Sequence, residues 1–224
     1  LQEEVILKNS ESEVTMGLVR GSATFCRYEV EGSPPEDYVK TFPNEILRYA
    51  FHTLDELPGE ERSTGWVNIL DMFDSEFRTM DYFKDPFIAL SWRVDVKRIP
   101  RKALLQYCRE AEKEVKEREG AEYLAKPVRD EIREGVRLRL LKRAIPQSGV
   151  YDMVWNLQTG IVLFGATGAK LCDEFAEFFR NTFHLQPIPL YPYALAQQAL
   201  LGQGKDGALA EEIRPVSLVE VSQT

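Results

Sequence analysis

Apolar positions recur at two different periods along this 224-residue chain, and the switches between the two mark out its elements. From Leu18 to Val30 the sequence is rich in β-branched and aromatic residues and runs into Gly32-Ser33-Pro34-Pro35, which predicts one strand. Ser33 followed by Pro34, Pro35, Glu36 and Asp37 reads as a helix start: a capping residue, prolines in the first turn, then acids at the positive end of the dipole. The helix so begun, interrupted near Pro43, places Tyr38, Phe42, Ile46, Leu47 and Phe51 on its buried side. Gly65 to Leu70 predicts a second strand. An acidic loop with Asp71, Asp74, Glu76, Asp81 and Asp85 follows, and Phe87 to Val96 alternates as a third strand.

The period then lengthens. Pro100 opens a helix whose buried stripe is Leu104, Cys108, Ala111 and Val115, with Glu, Lys and Arg crowding its other positions through Glu119. Gly120 permits a break, and a second charged helix runs from about Pro127 to Ala144, ending before Pro146-Gln147-Ser148-Gly149. Val150 to Leu157 and Ile161 to Gly165 form a hairpin. Gly168 to Phe183 is an amphipathic helix with Leu171, Phe175, Phe178 and Phe179 inward, and Pro187 to Pro192 is extended. The pattern predicts one α+β domain of antiparallel strands and hairpins, with a charged helix pair and packed amphipathic helices. It spans 17–195, between a loose extension at 1–16 and a flexible tail at 196–224.

Composition narrows the class. With 44% apolar and 29% charged residues the chain can bury a core and is too apolar for intrinsic disorder. Its longest apolar runs, such as Gly160 to Ala166, fall far short of the roughly 20 residues a membrane span needs. The acidic start Leu1-Gln2-Glu3-Glu4 lacks a signal layout, and Met16-Gly17 offers an alternative start. Cys26, Cys108 and Cys172 are odd in number and form no CxxC pair, so they read as small buried hydrophobes in a reducing cytoplasm.

The net charge of −8 argues at first against a polyanionic partner. The distribution changes that picture. Residues 93–143 hold 16 Lys/Arg and 10 Asp/Glu, a balance of +6, which leaves the rest of the chain at −14. On the second charged helix, Lys126, Arg129, Arg133 and Arg137 fall within an arc of about 80° that contains no acid. Arg139, Lys142 and Arg143 carry the basic character to its end. Such a stripe suits a phosphate backbone, because each contact releases condensed counterions. The competing reading is an ordinary solvated face with cations at a helix C-terminus.

Other chemistry is thinner. Gly165-Ala166-Thr167-Gly168-Ala169-Lys170 evokes a phosphate loop, but only two residues separate its glycines and Leu171 follows the lysine, so nucleotide binding is rejected. Asp81 or Asp85 with Asp95 and Lys97 could form a Mg²⁺-dependent nuclease centre. His52 and His184 stand alone, and Trp66, Trp92 and Trp155 lie in strand-like segments as core. No metal and no cofactor is expected.

Several segments follow one another in order: Gly65-Trp66-Val67, Trp92-Arg93-Val94-Asp95-Val96-Lys97-Arg98-Ile99-Pro100 and Leu140-Leu141-Lys142-Arg143-Ala144-Ile145. They continue through Gly160-Ile161-Val162-Leu163-Phe164, Ala166, Ala169-Lys170 and Pro187-Ile188-Pro189-Leu190. Over roughly residues 23–193 this ordered set resembles the RdgC family of recombination-associated DNA-binding proteins. The resemblance implies a ring-forming homodimer, cytoplasmic and nucleoid-associated, that binds duplex DNA without sequence preference and restrains RecA-mediated recombination. It implies basic residues at Lys126, Arg129 and Arg133, and the cationic segment adds Lys97, Arg98 and Arg101 as candidate phosphate contacts. Two departures stand out. Ile145 stands where members commonly carry phenylalanine, at this candidate dimer contact, and only a short tail follows the Pro-Leu segment, which leaves a closed ring, a partial ring and a different dimer all open. Two alternatives of other classes are the nuclease and a protein-interaction module that does not touch DNA.

Overall fold

The computed structural model describes residues 18, 24–57, 59–78 and 80–212. The expected extension at 1–16 and the last twelve residues lie outside them.

The longest alternating segment becomes the middle of a sheet. Strand β4 (Phe87–Val96) pairs antiparallel with β2 (Arg62–Asn68) on one side and β5 (Gln147–Asn156) on the other. Trp66, Trp92 and Tyr151 therefore stand in one row across three strands. The sheet continues from β5 to β6 (Ile161–Phe164), β1 (Cys26–Glu31) and β7 (Gln186–Pro189), while the two-residue β3 (Phe83–Lys84) pairs with the start of β4. Each pairing between these strands is antiparallel, as the hairpin pattern predicted.

One face of the sheet carries the apolar set of each strand. Tyr28, Val30, Trp66, Trp92, Met153, Trp155, Val162 and Phe164 are buried on it. They pack under α1 (Tyr38–Arg48), through Phe42 and Ile46, and under α4 (Ala169–Phe183), through Phe175, Phe178, Phe179 and Phe183. The rings of Phe164 and Phe175 lie parallel with centroids 3.8 Å apart. The three tryptophans are core, as their strand positions predicted.

The odd-numbered side of β4 is buried yet polar. Arg93 donates from Nε and Nη2 to the two oxygens of Asp95 at 2.9 and 2.8 Å, and from Nη1 to the Met72 carbonyl at 3.1 Å. Its guanidinium lies 4.2 Å above the Phe51 ring. Segment 49–51 reaches this place by pairing with the free edge of β2: Trp66 N–H donates to Tyr49 and Phe51 N–H donates to Trp66. Gly65 is required there, because a Cβ at that position would lie 2.3 Å from the Phe51 Cα.

Helices α2 (Arg101–Glu119) and α3 (Lys126–Arg143) form a hairpin, with Gly120 in the left-handed conformation at the break. It buries little of itself, only Cys108 from α2 and Val136 and Leu141 from α3. The C-terminal half of α3 is docked on the loop before β2: Leu138, Leu141 and Lys142 share a cleft with Leu54, Asp55, Glu60 and Lys97.

Several boundaries differ from the sequence expectation. Helix α1 begins at Tyr38, not at Ser33, because consecutive prolines hold residue 34 extended, and it runs through Pro43 without a break. Strand β1 begins at Cys26, β2 lies three residues earlier than expected at its start, and β3 was not foreseen. Beyond the expected boundary at 195 the chain is helical in α5 (Pro192–Gly202), followed by a 3₁₀ turn at Gly207–Glu212. Among the described residues no helix is long and apolar enough to cross a membrane. Of the three cysteines only Cys108 is buried, and Cys26 and Cys172 are half-buried.

Candidate nucleic-acid interface

The structure divides the expected cations into paired and unpaired sets. Lys97 is paired. Its side chain is only 8% exposed, its ammonium lies 3.3 Å from Asp55, and it serves the junction between β4 and the loop before β2. Arg137 is paired as well. Its guanidinium is held by Glu61 from that loop and by Glu134 one helical turn back, at 2.9 Å for the latter. The hydrogen bond and negative charge of Glu61, reinforced by Glu134, raise its pKa above the usual arginine value. Neither side chain is free to meet a phosphate.

Lys126, Arg129 and Arg133 remain on the arc and are exposed. Their surroundings are mixed, since residues 110–134 hold six Lys/Arg and nine Asp/Glu. Arg133 and Glu112 both act on Cys108 from opposite electrostatic directions, so these two charges share the seam between the helices. The other end of the hairpin is different. Residues 96–109 and 135–143 together contain nine Lys/Arg and no Asp or Glu. The antiparallel packing of α2 on α3 brings these two acid-free stretches to one end, where Lys97 and Lys142 line the same cleft.

Apart from Lys97 and Arg137, that end carries Arg98, Arg101, Lys102, Arg109, Arg139, Lys142 and Arg143, all exposed and none in an ion pair among the described residues. Lys102 and Arg109 were not singled out from the sequence. The signal was there, as the absence of acids in a fourteen-residue window, but it becomes a place only once the hairpin closes. On α3 itself, Arg139, Lys142 and Arg143 centre about 120° round the helix from the Lys126–Arg133 arc, with Arg143 the nearest to it at about 40° from Arg129. Ile145, just past α3, is 86% exposed.

The family model described as "Putative exonuclease, RdgC" matches residues 45–202, from within α1 to the end of α5. The match covers more than half of the chain. This chain belongs to the RdgC family. No curated protein matches it. Membership supports a recombination-related role.

For an RdgC-family chain with that description, the acidic candidates need an answer. The set Asp81, Asp85, Asp95 and Lys97 is not brought together. Asp85 sits in the turn before β4, whereas eight residues of extended strand, roughly 26 Å, separate Phe87 from Asp95. Asp95 is 3% exposed with both carboxylate oxygens on Arg93, and Lys97 is taken by Asp55. Among the described residues no group of three His, Cys, Asp or Glu is placed to hold a metal ion. Gly165 to Gly168 is a short link from β6 into α4, whose first two residues are Ala169 and Lys170.

Proposed function

We propose that the chain is a non-catalytic, sequence-tolerant duplex-DNA-binding protein of recombination, restraining strand exchange of the RecA type. It contacts phosphates through Arg98, Arg101, Arg139, Lys142 and Arg143 at the docked end of the α2–α3 hairpin, with Lys126, Arg129 and Arg133 as a secondary set. The observation that carries this reading is the acid-free end of the hairpin: seven exposed, unpaired cations in an otherwise anionic chain. Cations so placed supply affinity by counterion release and carry no base readout, which is the basis of sequence tolerance. A second copy of the chain, seated through the exposed Ile145, would double the contact surface in a homodimer acting on DNA at the nucleoid.

The test is duplex binding across a salt titration with unrelated sequences. The reading expects steep, sequence-indifferent salt dependence, and an affinity insensitive to salt refutes it. The exonuclease reading is favoured by the family description alone. Incubating end-labelled linear DNA with Mg²⁺ separates the two, since the proposal expects binding without shortening.

A further inference from the structure

Two of the three thiols meet across the sheet–helix boundary. Cys26 opens β1 and Cys172 lies on the first turn of α4, 146 residues further along the chain. Their sulfurs are 3.1 Å apart. The Cys172 thiol also lies 3.7 Å from the Ala166 carbonyl, which accepts its hydrogen, so Cys26 is the donor across the sulfur–sulfur contact. Both residues are half-buried, and Cys172 lines a cleft with Tyr28, Asp173, Arg180 and Tyr191 that gives solvent a route to it. The third thiol, Cys108, is buried on α2.

We propose that Cys26 and Cys172 form a reversible intramolecular disulfide by exchange with a low-molecular-weight disulfide such as oxidised glutathione. The Cys172 thiolate attacks one sulfur of the oxidised reagent, giving a mixed disulfide on Cys172 and releasing one equivalent of reduced thiol. Cys26, as thiolate, then attacks the Cys172 sulfur and expels the second equivalent. The protein gives up two protons and two electrons, the reagent takes them up, and no other oxidant enters. Closing the sulfurs from their present contact to a bond takes about 1 Å of movement.

Burial, then the hydrogen bond and charge of Cys172, push the Cys26 thiol up to about 11. Cys26 is therefore the poorer source of thiolate, and Cys172, which lines the solvent-open cleft, is the first nucleophile with Cys26 as the resolving thiol. The product ties the first turn of α4 to β1 across a very long loop, a constraint that acts mainly on the unfolded chain.

The experiment incubates the full, reduced chain with oxidised glutathione, then counts thiols under denaturant and maps disulfide-linked peptides. Three free thiols should fall to one, with no glutathione retained and with the Cys26 and Cys172 peptides joined. The oxidised chain should melt at a higher temperature, and a dithiol reductant should reverse the shift. Cys26→Ser should trap a stable glutathione adduct on Cys172, while Cys108→Ser should leave the linkage intact. Because the linkage is mapped in the unmodified chain, the result stands even if a variant fails to fold. Three thiols left free, a stable adduct on the unmodified chain with no internal bond, or a bond that includes Cys108 overturns the proposal.

Discussion

Replacing Arg139, Lys142 and Arg143 together with Ala removes three exposed cations from the acid-free end of the hairpin. The expected size of the effect follows from the cations placed there. If Arg98, Arg101 and these three each neutralise one phosphate, the logarithm of affinity falls with the logarithm of salt at a slope of about −4.5. A rise from 50 to 200 mM salt then weakens binding about 500-fold in the unmodified chain. With three contacts gone the slope is about −1.8 and the same salt step costs only about 12-fold. Fluorescence anisotropy on a labelled duplex at four or so salt concentrations measures both slopes. Arg137→Ala is the control: its guanidinium already faces Glu61 and Glu134, so the slope should not change even though the chain melts earlier. An unaltered slope in the triple variant, or a flattened one in Arg137→Ala, refutes the assignment of phosphate contacts to unpaired cations.

Three further outcomes follow from the fold. Gly65→Ala forces a Cβ into the Phe51 backbone and should cost about 1–3 kcal/mol or more in urea unfolding, and a neutral result would mean that segment 49–51 does not lie on β2. Asp95→Ala leaves the Arg93 charge buried beside Phe51 with one carbonyl partner, so unfolding should show a loss of about 3–5 kcal/mol, and a loss under 1 kcal/mol would contradict the buried pair. Tyr28 is buried, and this burial, more than the neighbouring Cys172 side chain, raises its pKa above that of free tyrosine. The folded state then keeps a proton that the unfolded chain loses above about pH 10, so stability is full below that pH and falls as pH rises beyond it. Melts taken towards alkaline pH should show a shallower decline in Tyr28→Phe, and an unchanged decline would remove Tyr28 from that account.

Much of the fold was legible because its signals are local. The alternation of Phe87 to Val96 matched β4 at both ends, and the stripe Leu104, Cys108, Ala111, Val115 with Gly120 after it gave α2 and its stop. The errors occur where one local rule opposes another. Ser33 is a good cap, but Pro34-Pro35 keeps the backbone extended, and α1 waits until Tyr38. Strand β3 is two residues long and exists only because the start of β4 offers a partner. The site was legible in outline and not in detail. Lys97 and Arg137 look like their neighbours in sequence, yet their carboxylates, Asp55 and Glu61, lie 42 and 76 positions away. Cys26 and Cys172 are invisible as a pair for the same reason.

The two carboxylate-held cations also bear on why the proposed docking favours one end of the hairpin. At physiological salt the screening length is about 8 Å, so acids on the far side of the sheet matter little to a phosphate at the hairpin, while acids among the cations matter fully. By that measure Lys126, Arg129 and Arg133, in a stretch with nine acids, offer a weaker field than Arg98, Arg101, Arg139, Lys142 and Arg143, whose own segments hold no acid. Beside the latter, Asp55 and Glu61 are engaged by Lys97 and Arg137, leaving Glu60 in the adjoining cleft. Position counts as much as field. A helix that buries only two side chains would hold its cations loosely, at an entropic cost to every contact. Glu61 on Arg137 and Asp55 on Lys97 fasten the last turns of α3 and the end of β4 to one loop. Under the proposed reading, the charges engaged at that junction are withheld from DNA, and the arginines and lysine beside them are held in place because of it.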